Sequence, residues 1–320
     1  MLHTFYLDMQ YSLLSRFDGV LLGAILGERV AARKGCLVDG VETSSGRLLH
    51  WSEIAILCAE NLISLGRLNP GEWHKQEQEI QLDNETSVIL ATLPVALFFH
   101  DNLIKLRQNV MLLTNFLQCD AIITDGTLAL SYAVAQSLTE KLHQATLIPQ
   151  TISFLGETST SFPQQLLKVQ NLLKSGAPLD IAQGELSREE KPGNAIAMAF
   201  YCFLSTLEDF RLSVLRADRM GRCSKTVSSI TGALSGAYNG TAGIPAIWQI
   251  SLNCSDSTQK WELGSCSDIL RLTDRLMAVW SGVYEIACDP NEDREDKSAF
   301  GWRLLSSSQA VAAPRVIRLR

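Results

Sequence analysis

The chain has 320 residues, 46% of them hydrophobic and 19% charged, with a formal net charge of −6 and a pI near 5.5. That length can bury a sizeable core, and the composition is that of a globular protein, which excludes a disordered or low-complexity chain. The acidic balance, with no basic cluster outside the last few residues, excludes nucleic acid as a default partner, because phosphate binding needs a clustered basic surface.

The first 26 residues carry Asp8, Arg16 and Asp18 inside their apolar stretches and lack a basic start and a small-residue cleavage site. They do not read as a signal peptide. No stretch reaches the roughly 18 uninterrupted apolar residues that span a bilayer, so no membrane association is expected. The eight cysteines, Cys36, Cys58, Cys119, Cys202, Cys223, Cys254, Cys266 and Cys288, form no C-x-x-C pair, and Cys58 and Cys202 sit in apolar helical patterns. Reduced thiols in a cytoplasmic protein are the reading that follows.

Helical periodicity dominates from end to end, and no alternation of period two is long enough for a strand. In IAILCAENLISL, Ile54, Leu57, Cys58 and Leu62 form one stripe, and Gly66 supplies a stop. Asp101 is placed to cap a helix through Leu103, Leu106, Val110, Leu113 and Leu117. A further helix is expected to begin near Thr124 or Asp125 and to carry Leu128, Tyr132, Val134 and Leu138. The stretch with Pro149 and Gly156 reads as a loop, residues 163 to 173 as a helix, and the polar stretch from Pro178 to Gly193 as a surface loop. Asn194 to Ser205 is apolar nearly all round and is expected to be a central buried helix, after which Glu208 and Asp209 open another. Beyond Cys288 the chain turns acidic and then ends in a basic stretch, so residues 1–288 are read as one domain and 289–320 as a charged tail.

Two segments carry glycine every fourth residue: Gly19, Gly23 and Gly27 in RFDGVLLGAILG, and Gly232, Gly236 and Gly240 in SSITGALSGAYNG. A glycine costs a helix about 1 kcal/mol against alanine, so three on one face need a compensating gain. Close backbone packing in the core is one such gain and the wall of a ligand cleft is another; the two are compatible.

The same segments carry a family resemblance. RFDGVLLGAILGERVAA resembles the opening helix of ADP-ribosylglycohydrolases, and Lys225 to Trp248 resembles their late block down to G-I-P and a tryptophan. Between them, Ala195 to Gly221 is similar to the helix pair leading into that block. The three blocks fall in family order between about Ser15 and Val283. The resemblance implies an all-α, orthogonally packed bundle. It also implies hydrolysis of a glycosidic bond of ADP-ribose with two magnesium or manganese ions, which orient the ribose and activate water with a carboxylate as base.

The acids that this chemistry needs are largely absent. The family's early T-D-D-T falls on Leu49-His50-Trp51-Ser52, where only the Ser52 hydroxyl remains. Its late G-x-D-x-D-T falls on Gly221-Arg222-Cys223-Ser224-Lys225-Thr226, where only Thr226 remains and a lysine has entered. The turn G-D-A-x-G becomes Gly27-Glu28-Arg29-Val30-Ala31, and the glycine-asparagine-glycine loop maps to Glu85-Thr86-Ser87, ahead of Pro94. Two positive charges roughly 4 Å apart repel by about 4 kcal/mol at an effective dielectric of about 20, so Lys225 opposes a dication there.

No metal is therefore expected, with Ser52 and Thr226 as vestigial positions and magnesium implied only if hydrolysis persists. His50, Trp51, Ser52, Arg222, Cys223, Lys225 and Thr226 are the candidate ligand-binding residues. Glu28 and Glu53 are the candidates for a metal-free carboxylate pair. Trp51 and His50 either stack on a flat ligand or fill the cleft; Cys223, between Arg222 and Lys225, is either activated or passive. His100-Asp101 is either an acid/base pair or a helix cap. Three functions follow: a non-hydrolysing binding or regulatory module for an ADP-ribose-like or phosphate-bearing molecule, with Lys225, Arg222 and Arg29 as its cations; a divergent hydrolase of an ADP-ribosyl or related bond; or an interaction protein with a protein partner.

Overall fold

The computed structural model describes residues 11–32, 50–71, 87–187, 193–221, 224–253 and 266–282. Among them there are helices and turns and no strand, so the all-α expectation holds. The charged tail from residue 289 and the charge run Arg188-Glu189-Glu190-Lys191 lie outside the described residues.

The architecture is organised on the two glycine-bearing helices, α1 (Leu13–Ala32) and α12 (Ser224–Asn239). They run antiparallel and touch backbone to backbone. A Cβ on Gly236 would stand 1.8 Å from the Gly19 carbonyl oxygen, one on Gly23 2.1 Å from that of Gly232, and one on Gly27 2.0 Å from that of Ser228. Close approach is what offsets the helical cost of these glycines. It also brings the Ser229 hydroxyl to the Ala24 carbonyl, to which it donates at 2.6 Å. Gly240 continues the stripe, its carbonyl carbon 3.1 Å from where a Cβ on Gly19 would stand. It lies just past the end of α12 with φ +60, a left-handed conformation that stops the helix.

Around this pair the remaining helices fall in chain order: α2 (Trp51–Leu65), α3 (Ser87–Ala91), α4 (Leu93–Phe99), α5 (Leu103–Phe116), α6 (Ala121–Leu138), α7 (Leu147–Leu155), α8 (Phe162–Lys174), α9 (Leu179–Ser187), α10 (Asn194–Ser205), α11 (Phe210–Ala217), α13 (Ala246–Asn253) and α14 (Cys266–Ser281). Helix α12 packs against α6, α10 and α11, and α1 against α14; α2 packs on α3, α4 and α14. The nearly all-apolar α10 is buried from Ala195 to Leu204, as its composition requires. In α2, Ile54, Cys58 and Leu62 are buried while Leu57 is only partly covered, and Gly66 closes the helix at φ +61.

Several boundaries differ from the sequence reading. Asn102, not Asp101, caps α5, its Oδ1 accepting from the Lys105 amide at 3.0 Å; Asp101 instead accepts from Trp280 Nε1 at 3.3 Å. Helix α6 starts one turn earlier than Thr124, with Asp120 at its N-cap. The stretch around Pro149 is helical, because that proline sits in the first turn of α7, where its missing N–H has no intrahelical acceptor to lose. Leu179–Ser187, within the stretch expected to be a surface loop, is helical as well: Ala182 and Leu186, four apart, are buried, and that packing offsets the cost of Gly184 in the interior. Asp209 caps α11 as expected, accepting from Leu212 N at 2.8 Å.

Candidate functional site

The site lies where the C-terminal part of α1 meets the first turns of α2 and α12. Each helix delivers one or more of the candidate residues. Glu28 comes from the last turns of α1 and is 2% exposed. Its Oε1 accepts from Lys225 Nζ at 2.8 Å and from His50 Nε2 at 3.0 Å, and its Oε2 accepts from Trp51 Nε1 at 2.7 Å. Burial alone would raise the Glu28 carboxyl, but His50 and the Lys225 ammonium outweigh it and hold the carboxyl below its ordinary value. Glu28 is therefore an anion at neutral pH, with both oxygens in use.

His50 is the N-cap of α2, where its Nδ1 accepts from the Ser52 backbone N–H at 3.3 Å and lies 2.9 Å from the Ser52 hydroxyl. A nitrogen that accepts carries no hydrogen, so the ring hydrogen is on Nε2 and is donated to Glu28. Trp51 is 2% exposed and its indole N–H is committed to Glu28. Its ring is buried among the core residues around α2. Lys225 reaches in from the surface, its side chain 58% exposed against 3% for Glu28.

The structure thus brings together Glu28, His50, Trp51, Ser52 and Lys225, that is, both of the segments from which the family acids are missing. Glu53 and Thr226 follow in the first turns of α2 and α12 and are partly exposed. Arg222 and Cys223 lie outside the described residues. So do Glu85 and Thr86; Ser87 opens α3, and Pro94 sits in the first turn of α4. His100 is buried, its Nδ1–H donates to the Leu97 carbonyl at 2.7 Å, and its ring packs against Phe17 and Trp280.

Asp18 and Asp125 are among the buried carboxyls that escaped the sequence reading. Asp18 on α1 is hydrogen-bonded to the Thr273 hydroxyl of α14, and burial pushes its carboxyl up to about 7 despite that bond, with Asp274 adding to the rise. Asp125 on α6 accepts from the hydroxyls of Thr158, at 2.7 Å, and Thr160, fixing the turn between α7 and α8. Cys58 and Cys202 are buried thiols, and burial pushes Cys202 up to about 12, which makes it inert. No helix among the described residues is long and apolar enough to cross a membrane. Nor do the described residues hold a group of three or more His, Cys, Asp or Glu side chains able to bind a metal ion.

The fold and the glycine-packed pair define an all-helical protein of the ADP-ribosylglycohydrolase type. A family model described as ADP-ribosylglycohydrolase matches residues 36–285, and the chain belongs to that family. The match starts after α1, so the opening-helix resemblance lies outside it. Among solved structures, the chain is similar to one described as an ADP-ribosylglycohydrolase-related protein complex, with 16% identity and a TM-score of 0.55 over 84% of this chain and 99% of that one. At that identity the likeness bears on the fold alone. No curated protein sequence matches the chain.

Proposed function

We propose that this family member does not carry out metal-dependent hydrolysis and uses the fold as a binding or regulatory module for an ADP-ribose-like or phosphate-bearing ligand. The observation that carries this reading is the ion pair between Glu28 and Lys225 at 2.8 Å. A pair of magnesium ions needs several hard oxygen donors with free lone pairs. Glu28 offers a carboxylate whose two oxygens already accept three hydrogen bonds. Ser52 offers a hydroxyl engaged by His50, and Lys225 contributes a positive charge. That donor set does not fit two dications.

Lys225, half out in solvent at the start of α12, and the N-terminus of α2 supply the positive potential that a phosphate would meet. The buried thiols of Cys58 and Cys202 support placement in the cytoplasm. The reading is tested with the full chain, magnesium and an ADP-ribosylated arginine or serine substrate, alongside calorimetric titration of ADP-ribose. Binding of ADP-ribose without substrate turnover is the expected result. Magnesium-dependent release of ADP-ribose would sink it in favour of the divergent hydrolase. Silence to both, with stable co-purification of another protein, would instead favour the interaction protein.

A further inference from the structure

We propose that a phosphate-bearing ligand is bound at Lys225 together with one proton: the phosphate draws the ammonium away from Glu28, and the proton takes the ammonium's place on Glu28 Oε1. The inference rests on the reading above, that the site takes an ADP-ribose-like or phosphate-bearing ligand. The ion pair has one member inside the protein and one outside. The Glu28 side chain is 3% exposed and that of Lys225 58%, with Nζ 2.8 Å from Oε1. A phosphate arrives from solvent, so Lys225 is the end of the pair that it meets. A carboxylate as buried as Glu28 stays an anion only while it is paired, since an unpaired charge in the interior is costly and is neutralised instead.

The groups that reach Glu28 decide where the proton goes. From α2, His50 Nε2–H donates to Oε1 at 3.0 Å and Trp51 Nε1–H to Oε2 at 2.7 Å; from α12 comes Lys225. Arg29 follows Glu28 on α1 and Glu53 stands in the first turn of α2, but the charges that hold the Glu28 carboxyl down are those of His50 and Lys225. A second hydrogen on His50 would sit on Nδ1, against the Ser52 N–H that this nitrogen accepts at 3.3 Å. The proton therefore goes to Glu28. There the hydrogen bond from Nζ breaks and an O–H bond forms on Oε1, its proton drawn from the buffer and aimed at the position that Nζ held. Oε1 still accepts from His50, and Oε2 from Trp51, so the cap of α2 is untouched. An ammonium shared between carboxylate and phosphate would leave two anions around one cation, which favours the same protonation.

The sign follows from linkage: the complex holds one proton more than the free protein, so affinity falls as pH rises. The full chain is titrated calorimetrically with ADP-ribose at pH 6 and pH 7, at each pH in two buffers of different ionisation enthalpy. The phosphates of ADP-ribose are diesters that do not titrate in this range, so the protons counted are the protein's. Uptake of about one proton per ligand and a Kd about tenfold weaker at pH 7 than at pH 6 are expected. Glu28→Gln, which has no proton to gain, is expected to lose both the uptake and the pH dependence. Should that variant not fold, the infrared difference spectrum of the native chain is read instead, where the carbonyl band of a protonated carboxyl is expected to appear on binding. Binding without proton uptake overturns this inference and leaves the proposed function standing. Uptake that survives Glu28→Gln, or comes without the carboxyl band, overturns it too, by placing the proton elsewhere. No binding of ADP-ribose at either pH, by contrast, overturns both.

Discussion

Gly236→Val is expected to remove the cooperative folding transition. Its new Cβ would lie 1.8 Å from the carbonyl oxygen of Gly19 and 2.5 Å from its carbon, and a backbone atom, unlike the end of a side chain, has nowhere to rotate. The helices must move apart. With them go the approaches of Gly23 to Gly232 and Gly27 to Ser228, and the 2.6 Å bond from Ser229 to Ala24. Overpacking a core by a methylene or two costs about 1 to 3 kcal/mol. Separating the central helix pair adds its lost burial and places the total above about 4 kcal/mol, in the exceptional range for single substitutions. Urea unfolding followed by circular dichroism measures it. Gly184→Ala in α9 is the control, since a Cβ there meets nothing within 4 Å. It is expected to be neutral or to stabilise by up to about 1 kcal/mol. A Gly236→Val protein that unfolds near the native midpoint would contradict the close packing of α1 on α12.

Asp18 carries the second large effect, as a pH dependence of stability. Burial pushes its carboxyl from the ordinary 3.8 up to about 7, so between these values the folded chain holds a proton that the unfolded chain has released. Stability from this group is therefore complete below about pH 4 and falls as pH rises towards 7. A shift of about three units corresponds to a loss on the order of 4 kcal/mol across that window. The hydrogen-bond geometry agrees: Thr273 Oγ1 also lies 2.9 Å from the Leu270 carbonyl, and one hydroxyl hydrogen cannot serve two acceptors. A protonated Asp18 that donates to Oγ1 satisfies both. Denaturant midpoints taken at pH 5 and pH 7.5 are expected to differ more for the native chain than for Asp18→Asn, whose amide cannot ionise. Equal pH slopes for the two would exclude Asp18 as the source.

The glycine pair was legible because a missing side chain every fourth residue has few uses in a helix other than close approach, and the two segments answer each other. Glu28 was legible as the one acid kept in a family turn. Its bonds to Lys225 and His50 were not, since they join residues 197 and 22 positions away, which only the antiparallel packing of α1 and α12 and the docking of α2 bring together. Asp18 lies 255 residues from Thr273, and Asp125 had the look of a helix start because an acid near an apolar stretch favours a first turn. Helices α7 and α9 were missed for a shared physical reason. Pro149 and Gly184 count as breakers in isolation, yet a proline in a first turn forfeits no bond, and buried residues four apart outweigh one glycine.

Absence of a magnesium site at the Lys225–Glu28 pair in the native protein is what the proposed function requires. Calorimetric titration of magnesium into the full chain at neutral pH tests this most directly. No saturable heat and an unchanged Tm are the expected result. Saturable magnesium binding that Glu28→Gln weakens would contradict it.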